Sequence, residues 1–331
     1  MDAVVAVTGA EGFIGSHLVE LLVERGDRVR AMAQYNSFGT WGWLDTLPSD
    51  VLDHVEVILG DVRDPASTED LIGDAEVVYH LAALIAIPYS YRAPHSYVET
   101  NALGTLNVLE AVRRLGTGRL VHTSTSETYG TARTVPIGED HPLQAQSPYA
   151  ASKVAADKLV ESYHLSFELP VVTLRPFNTF GPRQSARAFI PTVTSQIAAG
   201  TDAVSVGALD PTRDFTFVKD TAAAFAAVGT APAADVVGGL FNAGTGQEIS
   251  MGDLAGVIAE LMGRDVTFRS EQARQRPEKS EVMRLVCDSA KLRQATGWAP
   301  EHTLRDGLKH TIEWFLDPAN LDRYRPGSYT V

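Results

Sequence analysis

Val4-Val5-Ala6-Val7-Thr8-Gly9-Ala10-Glu11-Gly12-Phe13-Ile14-Gly15 opens this 331-residue chain with an apolar run, a glycine turn and the start of an amphipathic pattern. The run 4–7 reads as a buried strand. Phe13, Ile14, Leu18, Leu21 and Leu22 recur at helical spacing, and Gly26 closes that helix. Gly9 permits the tight turn between the two elements. Gly12 lets a pyrophosphate approach the backbone at the helix N-terminus, and Gly15 lets the helix pack on the strand. The spacing is GxxGxxG, a weak signal alone; its place between a strand and a helix gives it meaning.

The rhythm continues. Apolar runs at 29–33, 55–59, 77–81, 119–123 and 171–175 alternate with helical patterns, among them 101–115 and a helix from Tyr149 to about Phe167. Such alternation builds βαβ units and a parallel sheet. The expected fold class is therefore α/β, a Rossmann-type doubly wound parallel sheet with a smaller C-terminal α/β substrate domain. After Pro176 the texture changes. Residues 177–214 read as loop-rich, 215–235 as a return to the first domain, 240–300 as a small α/β cap and 304–316 as a last helix. The expected division is a dinucleotide-binding domain over 1–177, with that return segment, and a substrate domain over 178–331.

Bulk properties narrow the partners. Net charge is −13, from 28 basic and 41 acidic residues. That argues against a nucleic-acid or anionic-membrane surface. One cysteine, Cys287, excludes an internal disulfide framework and suits a reducing compartment. No apolar run reaches the roughly 18 residues of a membrane span. The first strand pattern starts without a basic n-region, so no signal peptide is read and a cytoplasmic location is expected. No His/Cys/Asp cluster has metal spacing.

The chemistry concentrates in Thr125-Ser126-Glu127-Thr128-Tyr129-Gly130 and Tyr149-Ala150-Ala151-Ser152-Lys153. Residues four apart share a helix face, so Tyr149 and Lys153 project together. An ammonium beside a phenol favours phenolate, which makes Tyr149 a candidate base for an alcohol. Glu127 adds a second acid/base group just after the fifth strand. Asp61, after the third strand, is placed to bond an adenine amine or to serve a turn before Arg63-Asp64-Pro65. The end of the second strand, where an acidic residue would grip both ribose hydroxyls, is neutral at Ala33-Gln34. No Arg follows to hold a 2′-phosphate. NAD against NADP stays open, and the missing cation favours NAD. Arg213 and Arg276 suit a diphosphate clamp or are surface residues. Asn178 suits a phosphate or sugar donor or a local cap. His80 and His122 lie in apolar strands and read as core histidines. Trp41 and Trp43 read as packing residues or the edge of a cofactor or subunit contact.

Together these residues resemble the extended short-chain dehydrogenase/reductase family of nucleotide-sugar enzymes. The resemblance rests on 8–15, His80-Leu81-Ala82-Ala83, Asn101, 123–130, Tyr149 with Lys153, Arg175-Pro176-Phe177-Asn178, Gly181-Pro182, Arg213-Asp214-Phe215, Asn242-Ala243-Gly244 and Arg276-Pro277. Within the family it is most similar to NDP-sugar 4,6-dehydratases. The stretches 84–90, 178–187 and 276–281 resemble UDP-N-acetylglucosamine 4,6-dehydratases of the legionaminic-acid type. This resemblance implies bound NAD at Gly9, Gly12, Phe13, Ile14, Gly15, Asp61, Val62, Leu81, Ala82, Ala83, Asn101, Tyr149 and Lys153. It implies a nucleotide sugar held by Thr125, Asn178, Arg187, Arg213 and Arg276, and catalysis by Thr125, Ser126, Glu127, Tyr149 and Lys153. It also implies a homodimer through the helices that begin near Asn101 and Tyr149.

Many dTDP-glucose 4,6-dehydratases carry Asp-Glu where this chain has Ser126-Glu127. The Thr-Ser-Glu form resembles GDP-mannose 4,6-dehydratases and also UDP-glucuronate decarboxylases. Without the Asp, Glu127 is expected to carry the proton from C5 to the C6 hydroxyl by itself. The alternatives on the same fold are a 4-epimerase, which needs no base at C5, and a decarboxylase, which needs a cation for the C6 carboxylate. A non-catalytic protein that binds NAD and a sugar nucleotide is the alternative from another class.

Overall fold

The computed structural model describes residues 3–324, so residues 325–331 of the expected second domain lie outside the described residues. Seven parallel strands form one sheet: β1 (Val4–Thr8), β2 (Arg28–Gln34), β3 (Val55–Gly60), β4 (Val77–His80), β5 (Arg119–Thr123), β6 (Val171–Pro176) and Leu240–Ala243. Their spatial order is Leu240–Ala243, β6, β5, β4, β1, β2, β3. The order reverses between β1 and β4, which opens a crevice beyond the carboxyl ends of the strands.

Both faces are covered, which is why most of these strands read as continuous apolar runs rather than alternating ones. On one face, Leu18, Val19 and Leu22 of α1 (Phe13–Glu24) pack with Ala222, Phe225 and Val228 of the helix Val218–Thr230. On the other, Leu71 and Ile72 pack with Val108, Leu109 and Val112 of the helix Gly104–Leu115, and with Val160 of the helix Pro148–Phe167.

Two expectations need correction. Residues 240–243 belong to the main sheet, not to a cap: Phe241 pairs with Leu174, and both Phe241 and Ala243 are buried in the sheet core. A four-residue segment such as Leu240-Phe241-Asn242-Ala243 carries no local sign of its distant partner strand. The stretch 177–214 is also more ordered than its composition suggests, with a helix at Phe189–Ala198. Pro191 lies in its first turn, where a backbone N–H would have no helical acceptor, so proline does not break it.

The smaller region pairs Asn178–Phe180 with Phe215–Phe217 and Ala203–Val206 with Thr267–Ser270. Thr212–Arg213 lies between Ile249–Ser250 and Arg284–Leu285. Phe180, Val193, Val206, Phe217, Leu254, Ile258 and Ile312 form its core, and Phe13 and Ile14 of α1 pack against it. The first turn of α1 is thus shared by both halves. No helix among the described residues is long and apolar enough to cross a membrane.

The α1 contact is unforgiving. A Cβ on Gly15 would lie 2.1 Å from the Gly9 carbonyl oxygen and 2.9 Å from Ala10 Cα. Both are backbone atoms that cannot swing aside. Gly15→Ala is expected to cost about 3 kcal/mol or more of stability, as overpacking against backbone does. Chemical denaturation measures this directly; a change within experimental error would show that the loop can shift to accept the methyl.

Candidate active site

A cavity of about 650 Å³ lies at the crevice between the sheet and the smaller region. Gly9, Gly12, Phe13, Ile14, Gly15, Asp61, Val62, Leu81, Ala82 and Ala83 line it. Thr125, Ser126, Glu127, Tyr149 and Lys153 line the same space, as do Asn178, Arg187, Arg213 and Arg276. One continuous cavity therefore joins the glycine loop, the Tyr/Lys pair and the arginines of the second half.

The glycine loop is built by a strap between strands. Thr8 Oγ1 accepts from the N–H groups of Leu81 and Ala82, each at 3.1 Å, and meets His80 Nδ1 at 2.8 Å. This draws the ends of β1 and β4 so close that a Cβ on Gly9, whose φ is +67°, would lie 2.7 Å from Ala82 N. His80 Nε2 meets Thr105 Oγ1 at 3.0 Å, so His80 is satisfied within the core. Gly12 precedes the first turn of α1 and offers no side-chain cap. The free N–H groups and the positive end of the helix dipole suit an anionic diphosphate.

Tyr149 follows Pro148 at the first turn of its helix, where Ser147 Oγ accepts from Ala150 N–H at 3.1 Å. Lys153 is one turn further on, buried on the same face. Thr125 caps the short 3-10 helix Ser126–Tyr129 by accepting from Glu127 N–H at 3.3 Å, and it hydrogen-bonds the Tyr149 phenol. The expected ionisation of Tyr149 by Lys153 is not what this environment favours. Burial pushes the phenol well above its ordinary value; the Thr125 hydrogen bond opposes this, while the charges of Glu127 and Asp157 and the neighbouring Tyr97 add to it. Burial also pushes Lys153 down to about 8, with Asp157 pulling the other way. Desolvation is the largest influence on both groups.

Below the pair lies a buried network. Asp157 accepts from Ser124 Oγ at 2.6 Å and from Arg175 Nη2 at 2.7 Å, and meets His122 Nε2 at 3.1 Å. Arg175 Nε also donates to Ser124 Oγ at 3.1 Å, and its guanidinium lies 4.4 Å from the centre of the Tyr129 ring. Asp157 was absent from the sequence-based site. It lies four residues after Lys153 on the same helix, so its spacing was a usable signal.

The arginines meet acids. Arg276 Nη1 donates to both carboxylate oxygens of Glu127 at 3.4 Å and lies 3.8 Å from Glu281. Arg213 donates to Glu281 at 3.2 Å. The two guanidiniums expected as a diphosphate clamp are brought together, but as an ion-pair cluster around Glu281 and Glu127. Arg187 lines the cavity and is exposed.

Asn101 is the one predicted cofactor contact that the cavity does not reach. The chain from Val98 to Leu103 forms a π turn before the α-helix begins, where a plain helix from 101 was expected. Asn101 accepts from Leu84 N–H at 2.8 Å and donates to Leu84 O and Ser152 Oγ, each at 2.9 Å. Its side chain is spent on tying the β4 loop to the Tyr149 helix. Trp43 is a packing residue, against Trp314 at 5.6 Å between ring centres. Glu11, another residue the sequence did not single out, lines the cavity with one buried carboxylate oxygen, Oε2, that has no hydrogen-bond partner in the described structure.

The chain is similar to both nucleotide-sugar dehydratases and epimerases. A family model described as GDP-mannose 4,6 dehydratase matches residues 6–311. A UDP-glucose 4-epimerase of Mycolicibacterium smegmatis is 34% identical over 93% of this chain and 97% of its own. A dTDP-glucose 4,6-dehydratase of Xanthomonas campestris pv. campestris is 31% identical over 94% of this chain and 92% of its own. The crystal structure of a dTDP-glucose 4,6-dehydratase from Streptomyces venezuelae with NAD bound superposes with a TM-score of 0.84 at 27% identity, covering 95% of this chain and 97% of that one.

Proposed function

This chain belongs to the GDP-mannose 4,6-dehydratase family of extended short-chain dehydrogenase/reductase enzymes, and from that premise we propose that it is an NAD-dependent NDP-sugar 4,6-dehydratase acting on UDP-N-acetylglucosamine. The observation that carries this reading is the carboxylate of Glu127, set in the same cavity wall as Thr125 and Tyr149. An epimerase has no use for a base at C5.

The residues fit the cofactor: the glycine loop, the uncapped start of α1 and the residue Glu11 line one cavity. NAD, when bound, supplies the hydride acceptor at C4, the hydride returned to C6 and a positive ring charge that favours phenolate at Tyr149. Tyr149 then takes the proton of the C4 hydroxyl, which Thr125 orients by hydrogen bonding. The 4-ketone acidifies the C5 hydrogen. Glu127 removes that proton and delivers it to the departing C6 hydroxyl, so a single carboxylate serves both ends of the elimination; C5 regains a proton as hydride reaches C6, balanced by the one Tyr149 took from the C4 hydroxyl. Arg276 holds Glu127 by its two 3.4 Å contacts.

Similarity of 84–90, 178–187 and 276–281 to the legionaminic-type enzymes supports the UDP-N-acetyl sugar. In this reading the chain divides into an NAD-binding domain over 1–177, with 215–235 and the strand Leu240–Ala243 returning to it, and a nucleotide-sugar domain over the rest of 178–331. It works in the cytoplasm as a homodimer, through the helices from Asn101 and Tyr149, beside which Val98 and Leu103 are half exposed. Incubating the purified enzyme with UDP-, GDP- and dTDP-sugars tests the reading. Mass spectrometry and NMR should show loss of one water and a 4-keto-6-deoxy product from UDP-N-acetylglucosamine. A C4 epimer of unchanged mass, or released CO₂ from a glucuronate, would replace this reading with the epimerase or the decarboxylase.

A further inference from the structure

The neutral end of β2 leaves the adenine-side ribose without its usual acidic reader, and tertiary structure supplies one from elsewhere. Glu11, in the loop between Gly9 and Gly12, folds across to the end of β2, where Gln34 N–H donates to its Oε1 at 3.3 Å. Glu11, Gln34, Gly60 and Asp61 line the same cavity as the glycine loop. A carboxylate therefore sits at the end of β2 although no acidic residue occupies that strand end in the sequence.

The placement is enforced. Trp43 N–H donates to Glu11 O at 3.0 Å. Gly42, with φ of +60°, comes so close that a Cβ there would lie 2.8 Å from Glu11 O and 3.1 Å from Glu11 Cβ. The short 3-10 helix Gly42–Thr46 thus presses Glu11 into the cavity wall. Its Oε2 is buried and has no hydrogen-bond partner in the described structure. Burial raises the Glu11 carboxyl above its ordinary value, and the N–H groups of Glu11 and Gln34 offset this only in part. A buried carboxylate oxygen without a donor is costly, and Oε1, which takes the backbone N–H of Gln34 at the cavity edge, keeps acceptor capacity for a hydroxyl. Arg63, the guanidinium beside the neighbouring strand end, is spent on Asp61 through Nε at 3.0 Å and Nη2 at 2.6 Å. A 2′-phosphate would meet the carboxylate of Glu11 and find that cation already paired.

We propose that Glu11 reads the adenine-side ribose, accepting hydrogen bonds from its 2′- and 3′-hydroxyls and repelling a 2′-phosphate, so that the chain selects NAD over NADP. This rests on the NAD-dependent reading above and names the residue behind it. The experiment is equilibrium titration with NADH and with NADPH, followed by nicotinamide fluorescence, on cofactor-stripped wild type, Glu11→Gln and Glu11→Gln with Gln34→Asp. Wild type should bind NADH about 100-fold or more tighter than NADPH, since like charges across a contact cost several kcal/mol. Glu11→Gln keeps the shape of the side chain and should bring the ratio below about 10-fold, mainly by weakening NADH. The added Gln34→Asp returns a carboxylate to the strand end and should restore the preference. Equal affinities in wild type would overturn the proposal, as would a Glu11→Gln ratio unchanged while both affinities fall in parallel, the mark of a merely structural role. If Glu11→Gln does not fold, the wild-type ratio and Glu11→Asp, which should narrow it, decide the matter. No sugar nucleotide enters the titration, so its failure and a failure of the dehydratase reading are separately visible.

Discussion

Glu127→Gln is expected to abolish formation of the 4-keto-6-deoxy product while leaving C4 oxidation in place. The carboxamide keeps the shape of the side chain and the reach toward Arg276, but it has no basic oxygen to remove the C5 hydrogen. Loss of a general acid/base group lowers the rate by about 10²–10⁴-fold, and here the same carboxylate is assigned both the C5 proton and the C6 hydroxyl. The variant should therefore stall after the first step. Adding the sugar nucleotide should produce the near-ultraviolet absorbance of reduced nicotinamide without loss of water from the sugar. Arg276 keeps Glu281 at 3.8 Å and Arg213 keeps Glu281 at 3.2 Å, so the cluster should survive the change. Product made at the wild-type rate would remove Glu127 from the mechanism. A variant that neither reduces the cofactor nor makes product would put Glu127 at the oxidation step instead.

Asp157→Ala is expected to produce the largest loss of stability among single changes near the site. Arg175 is 1% exposed and reaches Asp157 at 2.7 Å. Removing the acid leaves that guanidinium buried beside only Ser124 Oγ and the Tyr129 ring among the described residues, and uncompensated buried charges of this kind cost about 3–5 kcal/mol. Asp157→Asn, which retains an acceptor for Ser124 or His122, should cost less. The pH dependence has a definite sign. Burial alone would raise Asp157, but the hydrogen bond to His122, the Arg175 charge and the Ser124 hydroxyl hold it well below the usual carboxylate range. A depressed folded-state value contributes stability that is fully present above the unfolded value of about 4 and is lost as pH falls through the folded value. Denaturation curves should show wild type losing its advantage over Asp157→Ala on acidification below about pH 4. An advantage that stayed constant across that range would mean Asp157 contributes by shape alone. Because Asp157 also holds Lys153 up against its desolvation, the same variant should lower the Lys153 value below about 8.

Much of this molecule is legible in short stretches of its sequence. Val4 to Gly15 reads as strand, turn and helix because every contact it needs is local or falls at a fixed spacing. Gly15 against Gly9 is one such contact. Tyr149 and Lys153 share a face because helix geometry demands it, and Thr125 to Tyr129 follows a strand end that its apolar run predicts. The alternation of runs and helical patterns was enough for the parallel sheet. It was not enough for the placement of 240–243, whose pairing with β6 is a choice among strands that look alike.

The site shows the same division more sharply. The sequence by itself determined the family resemblance, the glycine loop, the Tyr/Lys pair and Glu127, all features written within a few residues of one another. Only the tertiary structure decided what surrounds them. Arg276 reaches Glu127 across 149 residues of chain, and Asn101 reaches Ser152 across 51. Glu11 arrives at the end of β2 from 23 residues away, filling the place that Ala33-Gln34 leaves neutral. Tyr149 and Lys153 keep their predicted positions, yet their proton affinities are governed first by burial, which no spacing encodes. Local spacing fixes which side chains point together, because backbone geometry is periodic. Which distant charges meet, and how dry their meeting place is, depends on how the whole chain packs.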